Sequence, residues 1–245
     1  MKKKLLIFII TYKAKFRVKK VFLKIPFKQL KNIDTHVLIS DDKSQDETID
    51  IIKKIKGKKL TKKFNNINLG YGGHVKKCLN FAILNKFDYA VMLHGDGQYH
   101  PKYIPEMVKK ISSSNDIFAV TGSRMFIKRS NALKGKMPIY KFVGNIFLTE
   151  LTNLITGSEF TDCHSGFWIY KMDVFKKIKL KKITNGFSFD QQLRFEYLKK
   201  KIKIKEIPIK TIYGSERSST QIVYATRYFI ALFPYLYFRV LKIFK

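Results

Sequence analysis

The 245-residue sequence has little cysteine and no extended apolar run near its start. Its two cysteines, Cys78 and Cys163, lie far apart and form no CxxC pair, so neither a disulfide framework nor a structural zinc site is indicated. The first apolar run, residues 5–10, is short, and no small-residue cleavage site follows it. We therefore interpret this run as a buried strand and expect a protein of the reducing cytoplasm.

Acidic residues are also scarce, with 18 Asp and Glu against 49 Lys and Arg, which gives a net charge of +31. Such an excess favours an anionic partner: a phosphorylated substrate, nucleic acid or an acidic membrane surface. The excess of positive charge alone does not show which of these partners binds. Only seven of the basic residues are arginine, and this lysine-rich bias also fits an AT-rich genome, in which case much of the charge is solvated surface.

Short β-rich runs alternate with helical patterns from the start of the chain to about residue 212, which predicts an α/β fold built on a largely parallel sheet. Apolar residues at helical spacing predict helices that cover both faces of this sheet. The predicted strands are residues 5–10, 36–40, 89–93, 118–121 and 202–207, and the predicted helices are residues 48–55, 74–84, one from Pro101 onward, and 139–155.

The composition changes only near the end of the chain, so we expect one catalytic domain over residues 1–219 and a distinct segment over 220–245. Residues 228–238 of this segment carry no charge and are flanked by Arg227 and Arg239. A membrane-spanning helix needs ~20 residues, which is more than this run provides. Two interpretations stay open: the segment lies in a membrane interface, or it docks on the core of the domain.

The stretch DYAVMLHGDGQYHP (88–101) places a turn with acidic and amide side chains directly after an apolar strand. Ligands of open α/β sheets bind beyond the carboxyl ends of the strands, so Asp96 is expected to face a crevice. Asp96 is our first candidate ligand for Mg²⁺ or Mn²⁺, because one carboxylate suffices when a diphosphate and water complete the coordination. The alternative is that Asp96 only caps the following turn.

Two further stretches have a comparable arrangement. In LISDDKSQDET (38–48), Asp41 and Asp42 follow a strand and can accept hydrogen bonds from a base N–H or from ribose hydroxyls. In NINLGYGGH (66–74), Gly70 and Gly72 precede a helix and would let a phosphate approach its positive end. The glycine turn lacks the P-loop lysine and the GxGxxG spacing, so by itself it is a weak motif.

Taken in order, these stretches make the chain resemble the family 2 glycosyltransferases, in particular the branch with polyprenyl-phosphate sugar synthases such as dolichyl-phosphate mannose synthase. The resemblance covers nearly the whole chain. It continues through VTGSR (120–124), KMPIYKFVGN (136–145), DCHSGFWIY (162–170), GFSFDQQ (186–192) and EIPIKTIYGSE (206–216).

The resemblance implies a Rossmann-like glycosyltransferase A fold, a nucleotide-diphosphate sugar donor and a divalent metal. Thr11, Asp41 and Asp42 match the family positions that hold the nucleoside. Gly95 and Asp96 fall in the family's DxD motif, of which Asp96 is the retained acid.

The first acid of the DxD motif is replaced by His94, which is either a weak metal ligand or a structural histidine. Gln98 matches the third side chain near the metal. We therefore expect the protein to supply fewer ligands to the metal than a site with two acids would.

On the acceptor side, the resemblance places Arg124, Lys141 and Asn145 at phosphate contacts and Ser165 in a lining loop. Arg124 would also stabilise the leaving phosphate. If the acceptor is a sugar hydroxyl, a general base is required, and Asp190 is the candidate. Alternatively, Asp190 is the N-cap of a helix over residues 191–199.

We therefore expect an inverting, metal-dependent glycosyltransferase of cell envelope glycan biosynthesis. It would pass a hexose to a polyprenyl phosphate or lipid-linked glycan, with the protein peripheral at the inner face of the cytoplasmic membrane. Two other hypotheses stay open: a non-catalytic sugar-nucleotide binder, prompted by His94, and a nucleic-acid-binding protein, prompted by the charge. Acidic clusters at strand ends argue against nucleic acid as a partner.

Overall fold

The structure, a computed structural model, describes residues 2–210. Its centre is a seven-stranded sheet in the order β3-β2-β1-β4-β6-β5-β7, in which only β6 runs antiparallel to its neighbours. The strands are β1 (Lys4–Thr11), β2 (Asp34–Asp41), β3 (Leu60–Phe64), β4 (Tyr89–His94), β5 (Ile117–Ser123), β6 (Trp168–Lys171) and β7 (Lys203–Pro208). The predicted domain boundary at 219 and the segment 220–245 lie outside the described residues.

Helices cover both faces of the sheet, because successive side chains of a strand point to opposite sides. In β1, Leu5, Ile7 and Ile9 join one buried cluster, and Leu6 and Phe8 join the other. The helices are α1 (Val18–Leu23), α2 (Thr48–Lys54), α3 (Gly70–Leu84), α4 (Ile104–Ser112), α5 (Asn131–Lys134), α6 (Ile139–Thr156) and α7 (Phe189–Lys199).

The predicted α/β class and the mixed, mostly parallel sheet are confirmed. All five predicted strands and all four predicted helices are present, with ends shifted by a few residues. A further predicted helix, over 191–199, corresponds to α7. The elements β3, β6, α1 and α5 were not predicted. β3 is an edge strand of sequence LTKKF without a continuous apolar run, and β6, α1 and α5 are too short to show a period.

No helix within residues 2–210 is long and apolar enough to cross a membrane.

The start of α3 packs directly on the loop that precedes α7. The backbone N–H groups of Gly72 and Gly73 both donate to the carbonyl oxygen of Asn185, at 2.8 and 3.1 Å. A Cβ atom on Gly72 would lie 2.5 Å from the carbonyl oxygen of Thr184. Only glycine allows this approach of two backbone segments.

Replacing Gly72 by alanine should therefore lower the free energy of unfolding by about 1–3 kcal/mol, because the new methyl group forces the two segments apart. Gly144 is a matched control, since it lies inside α6 and its added Cβ would meet nothing within 4 Å. G144A should raise stability by up to ~1 kcal/mol through helix propensity. Urea denaturation measures both, and a G72A protein as stable as G144A would contradict this packing.

Candidate active site

The carboxyl ends of β2, β1 and β4 meet at one edge of the sheet. Thr11 is in register with Asp41 on one side, and Ile10 is in register with His94 on the other. The N–H of Gly95 donates to the carbonyl of Ile10 at 2.9 Å, and a Cβ atom on Gly95 would lie 2.5 Å from Cγ2 of Thr11. The turn that carries Asp96 therefore begins directly beside Thr11.

Asp41 holds this edge together from inside. Its side chain is fully buried and accepts three hydrogen bonds: from the N–H and the hydroxyl of Ser44, both at 2.7 Å, and from the hydroxyl of Thr11 at 2.8 Å. The sequence analysis expected Asp41 to contact a nucleoside. The structure instead places its carboxylate between β1 and the loop after β2, where it orders its neighbours.

Asp42 points the other way, toward the segment between β3 and α3. Its Oδ1 accepts from the side-chain amide of Asn65 at 2.7 Å and from the N–H of Leu69 at 2.9 Å. Its Oδ2 takes no hydrogen bond from any residue between 2 and 210. Asn65, which the sequence analysis did not single out, is itself held by the Lys77 ammonium at 2.6 Å.

The turn after β4 is closed by Asp96. Its Oδ1 accepts the N–H of Gln98 at 2.9 Å, and its backbone carbonyl accepts from Arg17 at 3.0 Å. The turn-capping interpretation of Asp96 is thus correct for one oxygen. Because the side chain is only half-buried, its second oxygen can still bind a ligand.

The fit of this turn to a divalent metal depends on what lies beside Asp96. Among residues 2–210, no group of three or more His, Cys, Asp or Glu residues is arranged to hold a metal ion. A site made only of protein side chains is therefore absent from this part of the chain. The residues do fit a Mg²⁺ or Mn²⁺ that takes one carboxylate, from Asp96, and its other oxygen ligands from a diphosphate and water.

His94 is packed mainly as a structural residue. Its ring lies edge-on to Tyr71 and Tyr99, with centroids 5.8 and 5.1 Å away. Its Nε2 atom is enclosed without a hydrogen-bond partner in the described chain, and a Cβ atom on Gly166 would lie 3.1 Å from it. Burial lowers the pKa of His94 despite the opposing charge of Asp96, so the ring is neutral near pH 7.

The glycine turn differs from the expected phosphate cradle. The N–H groups of Gly72 and Gly73 are already bonded to Asn185, and Gly70 adopts a left-handed conformation with φ 71° at the start of α3. The turn instead brings Tyr71, which the sequence analysis missed, to the start of α7. There the Tyr71 hydroxyl donates to Oδ2 of Asp190 at 2.6 Å.

Asp190 lies inside the first turn of α7, whose N-cap is Ser188, so the alternative prediction that Asp190 is the N-cap is wrong. Its side chain is buried, and its Oδ1 has no hydrogen-bond partner among the described residues. Burial raises the pKa of Asp190 to about 7, although the hydrogen bond from Tyr71 and the charge of Arg194 both act to lower it.

Arg194 lies one helical turn after Asp190 and was also missed, although the i, i+4 spacing on a predicted helix could have pointed to it. It is 1% exposed, and its guanidinium lies between the rings of Phe160 and Trp168, at 4.4 and 4.7 Å. None of its three side-chain nitrogens has a hydrogen-bond partner within residues 2–210. A guanidinium stays charged at any physiological pH, so Arg194 places a permanent cation under Asp190.

On the acceptor side, Arg124 forms a buried, two-pronged ion pair with Asp162. Its Nε and Nη2 atoms donate to the two carboxylate oxygens at 2.6 and 2.7 Å. Burial alone would raise the pKa of Asp162, but the charge and hydrogen bonds of Arg124 lower it to about 2. This ion pair uses two of the three guanidinium nitrogens of Arg124, and its contact with a phosphate stays a prediction.

Lys141 and Asn145 lie one turn apart on α6, on a common side of the helix. Burial lowers the pKa of Lys141, and the nearby positive charge of Arg124 lowers it further. Lys141 and Arg124 are therefore two neighbouring cations. Ser165, expected in a lining loop, is fully buried. Its hydroxyl accepts the N–H of Phe167 at 3.4 Å, and its backbone carbonyl accepts from the indole of Trp168 at 2.9 Å.

The two buried carboxylates should respond to pH in opposite ways. The folded-state pKa of Asp190 is about 7, above its unfolded value, so ionising it costs stability as the pH rises from 4 to 8. The free energy of unfolding of D190N minus that of the native chain should therefore be higher at pH 8 than at pH 4, by up to about 4 kcal/mol.

Asp162 is the contrasting case. Its folded-state pKa of about 2 stabilises the protein above pH 4, and that stability is lost as the pH falls through 2. D162N should therefore lose about 3–5 kcal/mol at pH 7, because Arg124 stays buried without its partner. Urea denaturation at pH 4 and pH 8 measures D190N, and the same measurement at pH 7 tests D162N. A D190N protein whose stability relative to the native chain does not rise between pH 4 and pH 8, or a D162N protein as stable as the native chain at pH 7, would contradict these assignments.

Comparison with known proteins identifies the family of the chain. The model for glycosyl transferase family 2 matches residues 7–179. An uncharacterized protein of Methanocaldococcus jannaschii is 33% identical over 178 residues, which cover 73% of this chain and 70% of that protein. A UDP-N-acetylglucosamine–dolichyl-phosphate N-acetylglucosaminyltransferase of Methanococcus voltae is 29% identical over 200 residues, or 74% of this chain and 78% of that enzyme.

Solved structures share the fold. Glucosyl-3-phosphoglycerate synthase from Mycobacterium tuberculosis in complex with UDP superposes with a TM-score of 0.70 at 13% identity, covering 96% of this chain and 80% of that one. A complex of the same enzyme with Mn²⁺, UDP and glucosyl-3-phosphoglycerate gives 0.65 at 11% identity, with the same coverage. The sheet with its two helical layers is thus a glycosyltransferase A fold, and the chain belongs to glycosyl transferase family 2.

Proposed function

We propose that this glycosyltransferase moves a hexose from a nucleoside diphosphate sugar to a polyprenyl phosphate or a lipid-linked glycan, with inversion at the anomeric carbon. The observation that carries the proposal is the meeting of Thr11, Asp42 and Asp96 at the carboxyl edge of three adjacent strands. Ligands of open α/β sheets bind at such an edge. The names of the relatives, which include a dolichyl-phosphate sugar transferase, support the class of acceptor.

The nucleoside half of the donor is assigned to Thr11, Asp41 and Asp42. Asp42 has an oxygen that no described residue uses, and a base N–H or a ribose hydroxyl can donate to it. Asp41 acts through its neighbours, because its oxygens already hold Thr11 and Ser44. Gly95 lets the turn after β4 come close enough for the diphosphate to reach Asp96.

A Mg²⁺ or Mn²⁺ ion bound with the donor would be held by Asp96, with Gln98 beside it in the same turn. Such an ion, when bound, neutralises the charge that develops on the leaving diphosphate. A structural relative that binds Mn²⁺ together with UDP supports this choice of cofactor. The protein itself contributes the half-buried carboxylate of Asp96 and the short turn that orients it.

A lipid phosphate acceptor is already anionic and needs orientation more than proton removal. Lys141 supplies a cation near Arg124, and Asn145 lies one turn further along α6. Two neighbouring cations favour an anion between them. Arg124 thus acts on a phosphate mainly through its charge, since two of its nitrogens bind Asp162.

A glycan acceptor instead needs a base to take the hydroxyl proton as the oxygen attacks the anomeric carbon. Asp190 is suited to this role, because its pKa of about 7 leaves a large ionised fraction at neutral pH with high proton affinity. Its unpartnered Oδ1 is the oxygen that would take the proton. Tyr71 holds the other oxygen in place.

Replacing Asp96 by asparagine should abolish transfer while leaving the fold intact, because the amide oxygen can still accept the N–H of Gln98. A thermal-shift screen of nucleoside diphosphates with and without Mn²⁺ measures binding directly. The native chain should show a Mn²⁺-dependent rise in melting temperature that D96N loses. D116N is the control, since Asp116 is an exposed residue at the opposite edge of the sheet and should leave the shift unchanged. An unchanged shift in D96N would contradict the metal assignment.

The role of Asp190 can be tested through Arg194. Removing the cation with R194M raises the pKa of Asp190, so the rise of kcat/KM with pH should move about one unit or more toward alkaline pH if Asp190 is the base. R194K keeps a positive charge and should move the profile less. Identical profiles in R194M and the native chain would exclude Asp190 as the base and leave the anionic lipid phosphate as the acceptor.

A further inference from the structure

A chain of three polar side chains connects the surface of α3 with Asp42. The Lys77 ammonium donates to Oδ1 of Asn65 at 2.6 Å, and Nδ2 of Asn65 donates to Oδ1 of Asp42 at 2.7 Å. Asn65 and Asp42 are only 5 and 3% exposed, whereas Lys77 is an exposed residue of α3. A surface cation is thus linked through one buried amide to a carboxylate assigned to the nucleoside. We call this chain the Lys77 relay.

The backbone of Asn65 is fixed independently of its side chain. Asn65 directly follows the last residue of β3, and its N–H donates to the carbonyl of Asp41 at 2.9 Å. The sheet therefore sets where the side chain starts. An amide in this position can still turn over and exchange its oxygen with its nitrogen, so other contacts have to determine which end faces Asp42.

Lys77 contributes to that choice, because an ammonium group only donates hydrogen bonds and never accepts them. It bonds the oxygen of the Asn65 amide, which leaves the NH₂ group to face Asp42. The reversed amide would bring its oxygen against the carboxylate and its NH₂ group against the ammonium, and both contacts would be repulsive. The positive charge also polarises the amide and strengthens the hydrogen bond from Asn65 to Asp42.

The carboxylate of Asp42 is held through one of its two oxygens. Oδ1 accepts from Asn65 and also from the N–H of Leu69 at 2.9 Å, while the side-chain amide of Asn68 donates to the backbone carbonyl of Asp42 at 3.1 Å. Two donors on one oxygen restrict rotation of the carboxylate. Its orientation therefore fixes where Oδ2 points, and Oδ2 takes no hydrogen bond from any residue between 2 and 210.

We propose that Lys77 is a positioning residue for the nucleoside: acting through Asn65, it holds the carboxylate of Asp42 so that Oδ2 meets an N–H or hydroxyl donor of the nucleoside. The inference rests on the proposed function, in which Asp42 binds that half of the sugar donor. Lys77 itself does not touch the nucleotide in this arrangement. The rival explanation is that Lys77 is only one more cation in a chain of net charge +31, which would attract the diphosphate half.

Calorimetric titration of the full chain with UDP and Mn²⁺ tests the proposal, at about 0.15 M salt, where distant surface charges are screened. K77M should bind UDP about tenfold more weakly, because Asn65 loses the contact that orients it toward Asp42. K77R keeps a charged donor and should lose less than about threefold.

K62M is the matched control for the loss of charge. Lys62 lies on β3, three residues before Asn65, and its ammonium donates to the backbone carbonyl of Lys53 at 2.6 Å. The substitution removes the same charge and a similar hydrogen bond without touching the Lys77 relay. K62M should therefore bind UDP within about twofold of the native chain.

Two further titrations separate positioning from general attraction. The affinity of K77M for inorganic pyrophosphate with Mn²⁺ should stay within about twofold of the native value, because Asp42 is assigned to the nucleoside half alone. In an N65A background, which keeps the backbone N–H bonded to Asp41, K77M should cause no additional loss of UDP affinity. Either result shows whether the effect of Lys77 passes through Asn65.

Several outcomes would overturn the positioning role: native-like UDP affinity in K77M, an equal loss in K62M, a parallel loss of pyrophosphate affinity, or an undiminished effect of K77M in the N65A background. Without ligand, K77M should melt within a few degrees of the native chain, since substitutions of exposed side chains change stability little. A large fall in melting temperature would instead assign Lys77 to the fold. A native chain that binds no nucleoside diphosphate would refute the proposed function, whereas native-like UDP binding by K77M refutes only the role of Lys77.

Discussion

The buried carboxylate of Asp41 is the interaction on which the rest of the site depends. It accepts hydrogen bonds from Thr11 on β1 and from Ser44 in the following loop, so it joins the ends of two strands and sets the path of the chain beyond them. A buried carboxylate is stable only when such donors are present. The next residue, Asp42, lies just beyond β2 and accepts from Asn65 and from Leu69 at the start of α3.

On the acceptor side, the properties of the site depend on how each buried charge is stabilised. Asp190, Arg194 and the Arg124–Asp162 pair are all buried around the segment between β5 and α7, and their environments differ. Asp162 has a two-pronged partner and a pKa of about 2, whereas Asp190 has one neutral donor and a pKa of about 7. One carboxylate is thereby committed to structure, and the other keeps the proton affinity that a base requires.

Much of this architecture could be predicted from the sequence. The apolar runs of β1, β2 and β4 are long enough to be recognised, and acids at their ends predicted a common edge. The contacts among distant segments could not be predicted. That Gly72 makes room for Thr184 and Asn185, rather than for a phosphate, depends on how α3 packs on a loop more than a hundred residues later.

The acceptor side was harder to predict from the sequence, because it also depends on contacts between distant segments. Arg124 and Asp162 stand in separate motifs, and neither motif alone predicts that they form a buried ion pair. The full burial of Ser165 likewise depends on tertiary packing that its motif does not show. Local patterns identify which side chains carry chemistry, and the tertiary structure decides which of them remain available for it.

A crystal structure of the chain with UDP and Mn²⁺ would locate the donor site, because Mn²⁺ is identified by its anomalous scattering. We expect the nucleoside against Thr11 and Asp42, the diphosphate over the turn after β4, and the Mn²⁺ peak at the carboxylate of Asp96. A nucleotide bound elsewhere on the molecule, or a Mn²⁺ peak that Asp96 does not contact, would show that the carboxyl ends of β1, β2 and β4 do not form the donor site.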